Sequence, residues 1–135
     1  MRVIKNDQVL FIGWRYENPE LEEIIRGKKL SWDGLKTFNQ PKLCTILGLK
    51  ELPKPLITHC SLYKEDKTIV AFQSVTRHKN DPYSKEKARS FSMHKLLNKV
   101  YPGRENKEVR KLFWDTYLKR RENEVEKHNT VDTHS

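Results

Sequence analysis

The stretch Leu56–Arg77, LITHCSLYKEDKTIVAFQSVTR, decides the fold. Alternate side chains at its start share one face, namely Leu56, Thr58, Cys60 and Leu62. The polar sequence KEDK follows, and then the β-branched run TIVAFQSVTR. Two strand-like runs across a short polar loop predict an antiparallel hairpin at the centre of a sheet.

Upstream of this hairpin, the runs RVI and VLFIGWRY flank the polar residues 6–8. This pattern predicts either a second short hairpin or one strand after a frayed start. Pro19 follows Asn18 and opens ELEEIIRG, which indicates a short helix that ends at Gly27.

Glycine and proline interrupt residues 28–55 repeatedly. We expect short helices or loops that cover one face of the sheet. Trp32, Leu35 and Phe38 have helical spacing, which favours packing of these side chains in the core.

Two helices are predicted downstream. Asp81 can cap the first helix, with Pro82 in its first turn, and Ser84 is an alternative cap. This helix extends to about Val100, where YPGREN interrupts the pattern. The second helix extends from Asn106, as its cap, to about Arg121.

The sequence therefore predicts an α+β fold, in which two C-terminal helices pack on an antiparallel β-sheet with a central hairpin. A length of 135 residues favours one domain. We place a single compact domain at residues 1–122 and a polar C-terminal tail at residues 123–135.

Positive charge is concentrated in one segment. Residues 77–121 hold fourteen Lys/Arg and five Asp/Glu, which accounts for the whole net charge of +9. Such clustering is typical of proteins with a polyanionic partner, either a nucleotide, a nucleic acid or an acidic protein. A basic surface that serves only solubility is the alternative.

The remaining composition excludes several classes. No window resembles the apolar run of a membrane span, and the N-terminus lacks the pattern of a signal peptide. Cys44 and Cys60 lack a CxxC spacing, so we expect reduced thiols in a cytoplasmic protein.

Sequence signals for catalysis are weak. No GxSxG, HExxH, P-loop or GxGxxG motif is present, and the His and Cys residues lack a recognised metal spacing. A nucleophilic pair of Cys60 with a histidine is the one enzymatic alternative. We expect no catalytic residues, no metal and no cofactor.

Arg89 is the first candidate for ligand binding. In a helix it shares a line with Met93, Leu96 and Val100, with Lys85 one turn earlier on the same side. A charge on an apolar face needs a partner. In the first alternative the partner is a ligand phosphate, and Asp81 orients the guanidinium. In the second, the partner is the carboxylate of Asp81 or Glu86. The third alternative is a side chain whose charged head reaches water.

The start of the same helix is the second candidate, because exposed N–H groups there attract anions. The basic residues at that end are Arg77, His78, Lys79, Lys85 and Lys87. Tyr83 could stack on a base or anchor the loop.

The second helix supplies a third group. Arg110, Lys111 and Trp114 lie outside its predicted apolar stripe of Val109, Phe113 and Tyr117. An aromatic ring beside basic groups suits cation–π contact or base stacking. An edge-of-core position or an oligomer contact is the alternative for Trp114.

The block TIVAFQSVTRHKNDPYSKEKARSFSMHKLL, followed by KEVRKLFWDTYLKR, resembles small phage-encoded accessory proteins. The matching positions are Asp81, Tyr83, Ala88 and Arg89 in the C-terminal half. The resemblance implies host takeover or counter-defence. One member type, the Thoeris anti-defence sponge proteins, captures cyclic nucleotide signals between protomers.

The hairpin followed by SKEKARSFSMHKLL is also similar to the end of a double-stranded-RNA-binding domain. That resemblance implies that Lys85, Lys87 and Arg89 straddle phosphates across a groove.

We therefore expect a non-catalytic accessory protein that sequesters a nucleotide signal, with homo-oligomers helping to close its pockets. A nucleic-acid-binding module and an inhibitor of an acidic host protein are the alternatives. No membrane partner is expected.

Overall fold

A computed structural model describes residues 1–134, with side chains described for residues 1–122. One four-stranded antiparallel sheet has the strand order β1-β2-β3-β4. Its strands are Arg2–Lys5 (β1), Gln8–Glu17 (β2), Ile57–Lys64 (β3) and Ile69–Thr76 (β4). The predicted hairpin β3–β4 is confirmed, with β4 as an edge strand of the sheet. Of the two N-terminal alternatives, the hairpin, β1–β2, is the one present.

Five α-helices complete the described chain. They are Pro19–Gly27 (α1), Trp32–Leu35 (α2), Gln40–Leu47 (α3), Lys85–Val100 (α4) and Lys107–His134 (α5), with a 3₁₀ turn at Arg104–Asn106. The predicted α+β class is confirmed.

Local chemistry explains the two hairpin turns. Asn6 and Asp7 both take positive φ, 47° and 65°, as a two-residue turn with right-handed strand twist requires. In the second turn, Asp66 Oδ1 accepts a hydrogen bond of 2.9 Å from the Thr68 backbone N–H, and Lys67 has a φ of 70°. Polar residues that tolerate positive φ therefore set both registers.

The main core lies between one face of the sheet and helices α4 and α5. Residues with no exposed surface come from both layers: Ile12, Cys60, Leu62, Met93, Leu96, Leu97 and Phe113. Helix α4 lies over β3 and β4, and α5 contacts β1. Both helices are therefore fixed on the sheet by the alternating residues that predicted it.

Helices α2 and α3 do not cover a sheet face as predicted for residues 28–55. With α1 they form a second small cluster, whose buried residues are Ile25, Leu35, Leu43 and Leu47. The core prediction for Trp32 and Phe38 is wrong, because these side chains are 49% and 41% exposed. Of the three residues with helical spacing, Trp32, Leu35 and Phe38, only Leu35 packs in this cluster.

The start of α4 differs from the first prediction. Ser84, the alternative cap, accepts a hydrogen bond of 3.2 Å from the Lys87 backbone N–H through its side-chain oxygen. Asp81 and Pro82 precede the helix in the connecting loop.

The predicted end of α4 at Val100 is confirmed. Helix α5 extends past its predicted end near Arg121 to His134. The predicted polar tail, residues 123–135, lies outside the part of the chain whose side chains are described.

The other face of the sheet carries no helix layer among the element pairs in close contact. Phe11 stacks on Tyr63 there, with ring centres 5.4 Å apart. None of the helices in the described residues has the length and apolar content needed to cross a membrane.

Candidate anion-binding site

Arg89 is held by strand β2. Its Nε donates a hydrogen bond of 2.6 Å to the Tyr16 hydroxyl oxygen, and its guanidinium carbon lies 5.7 Å from the centre of the Trp14 ring. Trp14 Nε1 in turn donates a hydrogen bond of 3.1 Å to the Arg89 carbonyl oxygen. Trp14 and Tyr16 share a strand face, so β2 presents both rings to α4.

Two further cations reach the same pair of rings. Lys85 Nζ lies 5.3 Å from the centre of the Tyr16 ring, and the guanidinium carbon of Arg120 lies 6.0 Å from the Trp14 ring centre. We call Trp14, Tyr16, Lys85, Arg89 and Arg120 the Trp14 cluster. It joins β2, the first turns of α4 and the middle of α5.

The predicted acidic partners of Arg89 do not pair with it. Glu86 forms its ion pair with Arg121, at 3.2 Å. The Asp81 side chain makes no contact with Arg89 among the hydrogen bonds and ion pairs of residues 1–122. The Asp81 carbonyl oxygen instead accepts a hydrogen bond of 2.7 Å from Arg77.

The outer guanidinium nitrogens of Arg89 make no hydrogen bond to any described residue. Only Nε is bonded, so the fork that best matches a phosphate or carboxylate is available. Arg89 is half-buried, where charges interact more strongly than in water. An oxyanion at this place would offset the mutual repulsion of Lys85 and Arg89.

The field of Arg89 reaches two neighbouring phenols. Burial raises the pKa of Tyr83, and Arg89 and Arg77 oppose that shift. Burial and the Glu86 carboxylate raise the pKa of Tyr117 to about 12, again against Arg89. Both phenols therefore stay neutral at ordinary pH and bring no competing negative charge.

Arg77 is bound to the backbone. Its guanidinium donates to five carbonyl oxygens, those of Lys54, Pro55, His78, Lys79 and Asp81. The Tyr83 ring centre lies 5.9 Å from the guanidinium carbon. Arg77 thus fastens the loop before α4 to the end of the segment that precedes β3, and its donors are already occupied.

A groove of about 730 Å³ lies beside α4. Five of the predicted site residues other than Arg77 line it, namely His78, Asp81, Tyr83, Lys87 and Trp114. Val75 and Phe91 give it an apolar wall. Lys85 and Arg89 are not among its lining residues, so the two groups predicted as one site occupy different sides of α4.

The structure brings the third predicted group together. Arg110 donates hydrogen bonds of 2.5 and 2.7 Å to the carbonyl oxygens of Tyr101 and Gly103, which caps the end of α4. Arg110, Lys111 and Trp114 all line a second cavity of about 290 Å³, together with His94. Arg110 therefore combines a structural contact with a place at this cavity.

Residue patterns alone assign no function to Trp14, Tyr16 or Arg120. For the two aromatic residues a signal is present in β2, where they alternate with other residues at the end of the strand. Only the packing of α4 and α5 on β2 shows that these rings meet the basic residues.

A separate polar network lies on the open face of the sheet. His59 Nδ1 is 2.6 Å from Ser74 Oγ, and His59 Nε2 is 2.9 Å from Glu17 Oε2. The network ties β2, β3 and β4 together, and none of its residues lines either groove. Cys60 faces the core instead, where burial raises the pKa of its thiol to about 12, so it is a poor nucleophile.

Within the described residues, no group of three or more His, Cys, Asp or Glu side chains could hold a metal ion. Comparison of the chain with protein-family models, with curated proteins and with solved structures gives no match, so the geometry of the Trp14 cluster carries the functional argument.

Proposed function

We propose that this protein binds a phosphate-bearing nucleotide without transforming it, and that the Trp14 cluster holds the phosphate. The observation that carries the proposal is the Arg89 guanidinium, which is fixed through Nε by Tyr16 while its outer nitrogens have no described partner. A fixed fork loses little conformational freedom on binding a phosphate. Lys85 adds a second positive charge beside the same ring.

The resemblance to phage accessory proteins suggests a biological role for this binding, namely counter-defence. A protein that holds a nucleotide signal without turnover lowers the free signal in the cytoplasm of a host cell. Oligomers would help because a second protomer would cover the ligand bound at the exposed face of the cluster. The Trp14 ring, over which the guanidinium groups of Arg89 and Arg120 lie, holds Arg89 beside the phosphate position.

Titration of the purified protein with ATP, a cyclic dinucleotide and inorganic phosphate tests the proposal, with heat or tryptophan fluorescence as the readout. We expect nucleotide binding that Arg89→Ala weakens by about 10- to 100-fold, the range for a charged hydrogen-bond partner. Arg104→Ala is the matched control, because Arg104 is exposed and distant in the fold. Equal losses in the two variants would mean that net charge alone drives binding.

Nucleic-acid binding is the second candidate, because Lys111 and Trp114 line a separate cavity along α5. A polyanion could contact this cavity and the Trp14 cluster together. Binding to many phosphates falls steeply with salt, whereas a single nucleotide depends on salt much less. A salt series with single-stranded DNA and duplex RNA separates the two candidates, and absence of binding to every probe would refute both.

A further inference from the structure

The outer edge of β4 is unpaired among the described strands, and helix α4 lies over β3 and β4 on one face of the sheet. The Phe72 carbonyl oxygen accepts a hydrogen bond of 3.4 Å from Lys99 Nζ, and the Ser74 carbonyl oxygen accepts one of 3.2 Å from the Gln73 side-chain amide. In an antiparallel ladder, alternate residues turn their N–H and C=O groups away from the neighbouring strand. Phe72, Ser74 and Thr76 therefore carry the N–H and C=O groups that point outward from the sheet.

The facing side of α4 is basic and apolar. Phe91, Lys95 and Lys99 follow one another at four-residue spacing and so share a line of the helix. Lys95 Nζ lies 4.8 Å from the Phe91 ring centre, and Lys99 Nζ lies 6.0 Å from the Phe72 ring centre. We call these three residues, together with Phe72, Ser74 and Thr76, the β4 channel.

Two large apolar side chains of the channel face solvent. Phe72 is 59% exposed and Phe91 is 53% exposed. A strand edge with exposed aromatic residues is a template for pairing with another strand. Lysine on such an edge prevents indiscriminate pairing, and here Lys99 occupies one of the carbonyls that a partner strand would use.

We propose that the β4 channel binds an extended acidic peptide segment of a partner protein, which adds as a fifth strand to the edge of β4. Main-chain hydrogen bonds to Phe72, Ser74 and Thr76 would supply the pairing, as in other cases of strand addition. Acidic side chains on the α4 side of the peptide would meet Lys95 and Lys99, and apolar side chains on its other side would cover Phe72, which lies on the open face of the sheet with Ser74.

The positive charge of the channel favours an acidic peptide over the other possible occupants. The only acidic residue of α4 is Glu86, and it is paired with Arg121 of α5. A second copy of this chain paired through β4 would bring the lysines of two α4 helices together, and like charges disfavour that arrangement. A nucleic acid has no strand of N–H and C=O groups to complete the ladder.

Nuclear magnetic resonance on the full-length, ¹⁵N-labelled protein tests the inference. The probe is a capped peptide of alternating glutamate and valine, and its counterpart has lysine in place of glutamate. We expect the glutamate peptide to shift the amide signals of Phe72, Ser74 and Thr76 and to protect them from hydrogen exchange. The lysine peptide should leave them unchanged.

Two variants test the contacts separately. Thr76→Pro removes one outward N–H, and an edge strand tolerates proline there. It should weaken binding by about three- to tenfold, the effect of one hydrogen bond, whereas Thr76→Val should not. The double change Lys95→Glu and Lys99→Glu should remove binding, whereas Lys36→Glu, in the distant segment after α2, should not.

Several results would overturn the inference. They are equal binding of both peptides, signal changes confined to the Trp14 cluster, and self-association through the β4 edge in sedimentation. If Thr76→Pro unfolds the protein, the charge-reversal pair still decides the matter. Because the channel and the Trp14 cluster are separate surfaces, Arg89→Ala should leave peptide binding intact.

Discussion

Arg89 and Tyr16 are 73 residues apart in the chain and are joined by a hydrogen bond of 2.6 Å. The bond links the second turn of α4 to the end of β2 and fixes the guanidinium at its Nε. Because Trp14 also bonds the Arg89 carbonyl, strand and helix are tied by two polar contacts. Arg89, which the sequence places on the apolar face of α4, is therefore held by Tyr16 and Trp14. Neither of its predicted acidic partners, Asp81 and Glu86, pairs with it.

Tyr16→Phe should weaken nucleotide binding less than Arg89→Ala does. The substitution keeps the ring under Lys85 but removes the hydroxyl that holds Arg89. We expect an affinity loss of about three- to tenfold, since one hydrogen bond is lost and the charge remains. Calorimetric titration with ATP measures it.

Phe11→Leu, on the opposite face of the sheet, is the control for loss of aromatic surface in β2. A Tyr16→Phe variant with unchanged affinity would show that the bond to Tyr16 does not position Arg89 for the ligand.

Arg77→Ala should lower the stability of the protein. Its guanidinium holds five backbone carbonyls, and a solvated lysine cannot replace that fork. We expect the free energy of unfolding to fall by about 2 kcal/mol in Arg77→Ala and to recover only partly in Arg77→Lys. Urea unfolding measures both, with Lys79→Ala as the exposed control. An unchanged midpoint would contradict the anchoring role.

Phe113→Ala should be far more destabilising than Leu118→Ala on the same helix. Phe113 has no exposed surface and packs in the main core beside Tyr101, whereas Leu118 is 49% exposed. Deleting a buried phenylalanine side chain costs about 3–5 kcal/mol, through lost burial and the cavity that remains. Thermal unfolding of the two variants checks the difference, and similar melting temperatures would place α5 outside the cooperative core.

Stability should fall at alkaline pH. Burial raises the pKa of Cys60 from 9.0 to about 12, because the charged thiolate is disfavoured in the core. The unfolded chain therefore loses this proton first as pH rises. The contribution of the buried Cys60 thiol to stability is complete below about pH 9. As pH rises from 9 towards 12, the free energy of unfolding falls by on the order of 1 kcal/mol per pH unit.

Cys60→Ala should flatten this slope, although Tyr117, whose pKa is also raised to about 12, leaves a remainder. Urea midpoints across this pH interval measure it. An identical slope in the variant would assign the alkaline loss to other groups.

The two thiols should differ in reactivity. Cys60 is fully buried, whereas Cys44 of α3 is partly exposed. A thiol reagent at neutral pH should modify one cysteine of the folded protein and both after unfolding, because a buried thiol is inert. Cys44→Ser should abolish the fast reaction. Fast modification of Cys60 in that variant would show that the core opens readily.

The strands and the two long helices could be predicted because their signals are local. Alternation over residues 56–63 predicted β3, and the polar segments at residues 6–8 and KEDK predicted where the two turns lie. The cap of α4 was less certain because Asp81 and Ser84 carry equivalent side chains for that role, and the loop that Arg77 anchors decided for Ser84. Trp32 was misplaced because helical spacing fixes a period but not the direction that an isolated short helix faces.

The sequence by itself determined the elements, the excess charge of residues 77–121 and the position of Arg89 on the inner side of its helix. Only the tertiary structure decided which of those charges are available. It bonded Arg77 and Arg110 to backbone carbonyls, separated Lys87 from Lys85, and brought Trp14 and Tyr16 to Arg89. The physical reason is that hydrogen bonds and cation–π contacts act over a few ångströms, and residues distant in the chain meet at that range only after the helices pack on the sheet.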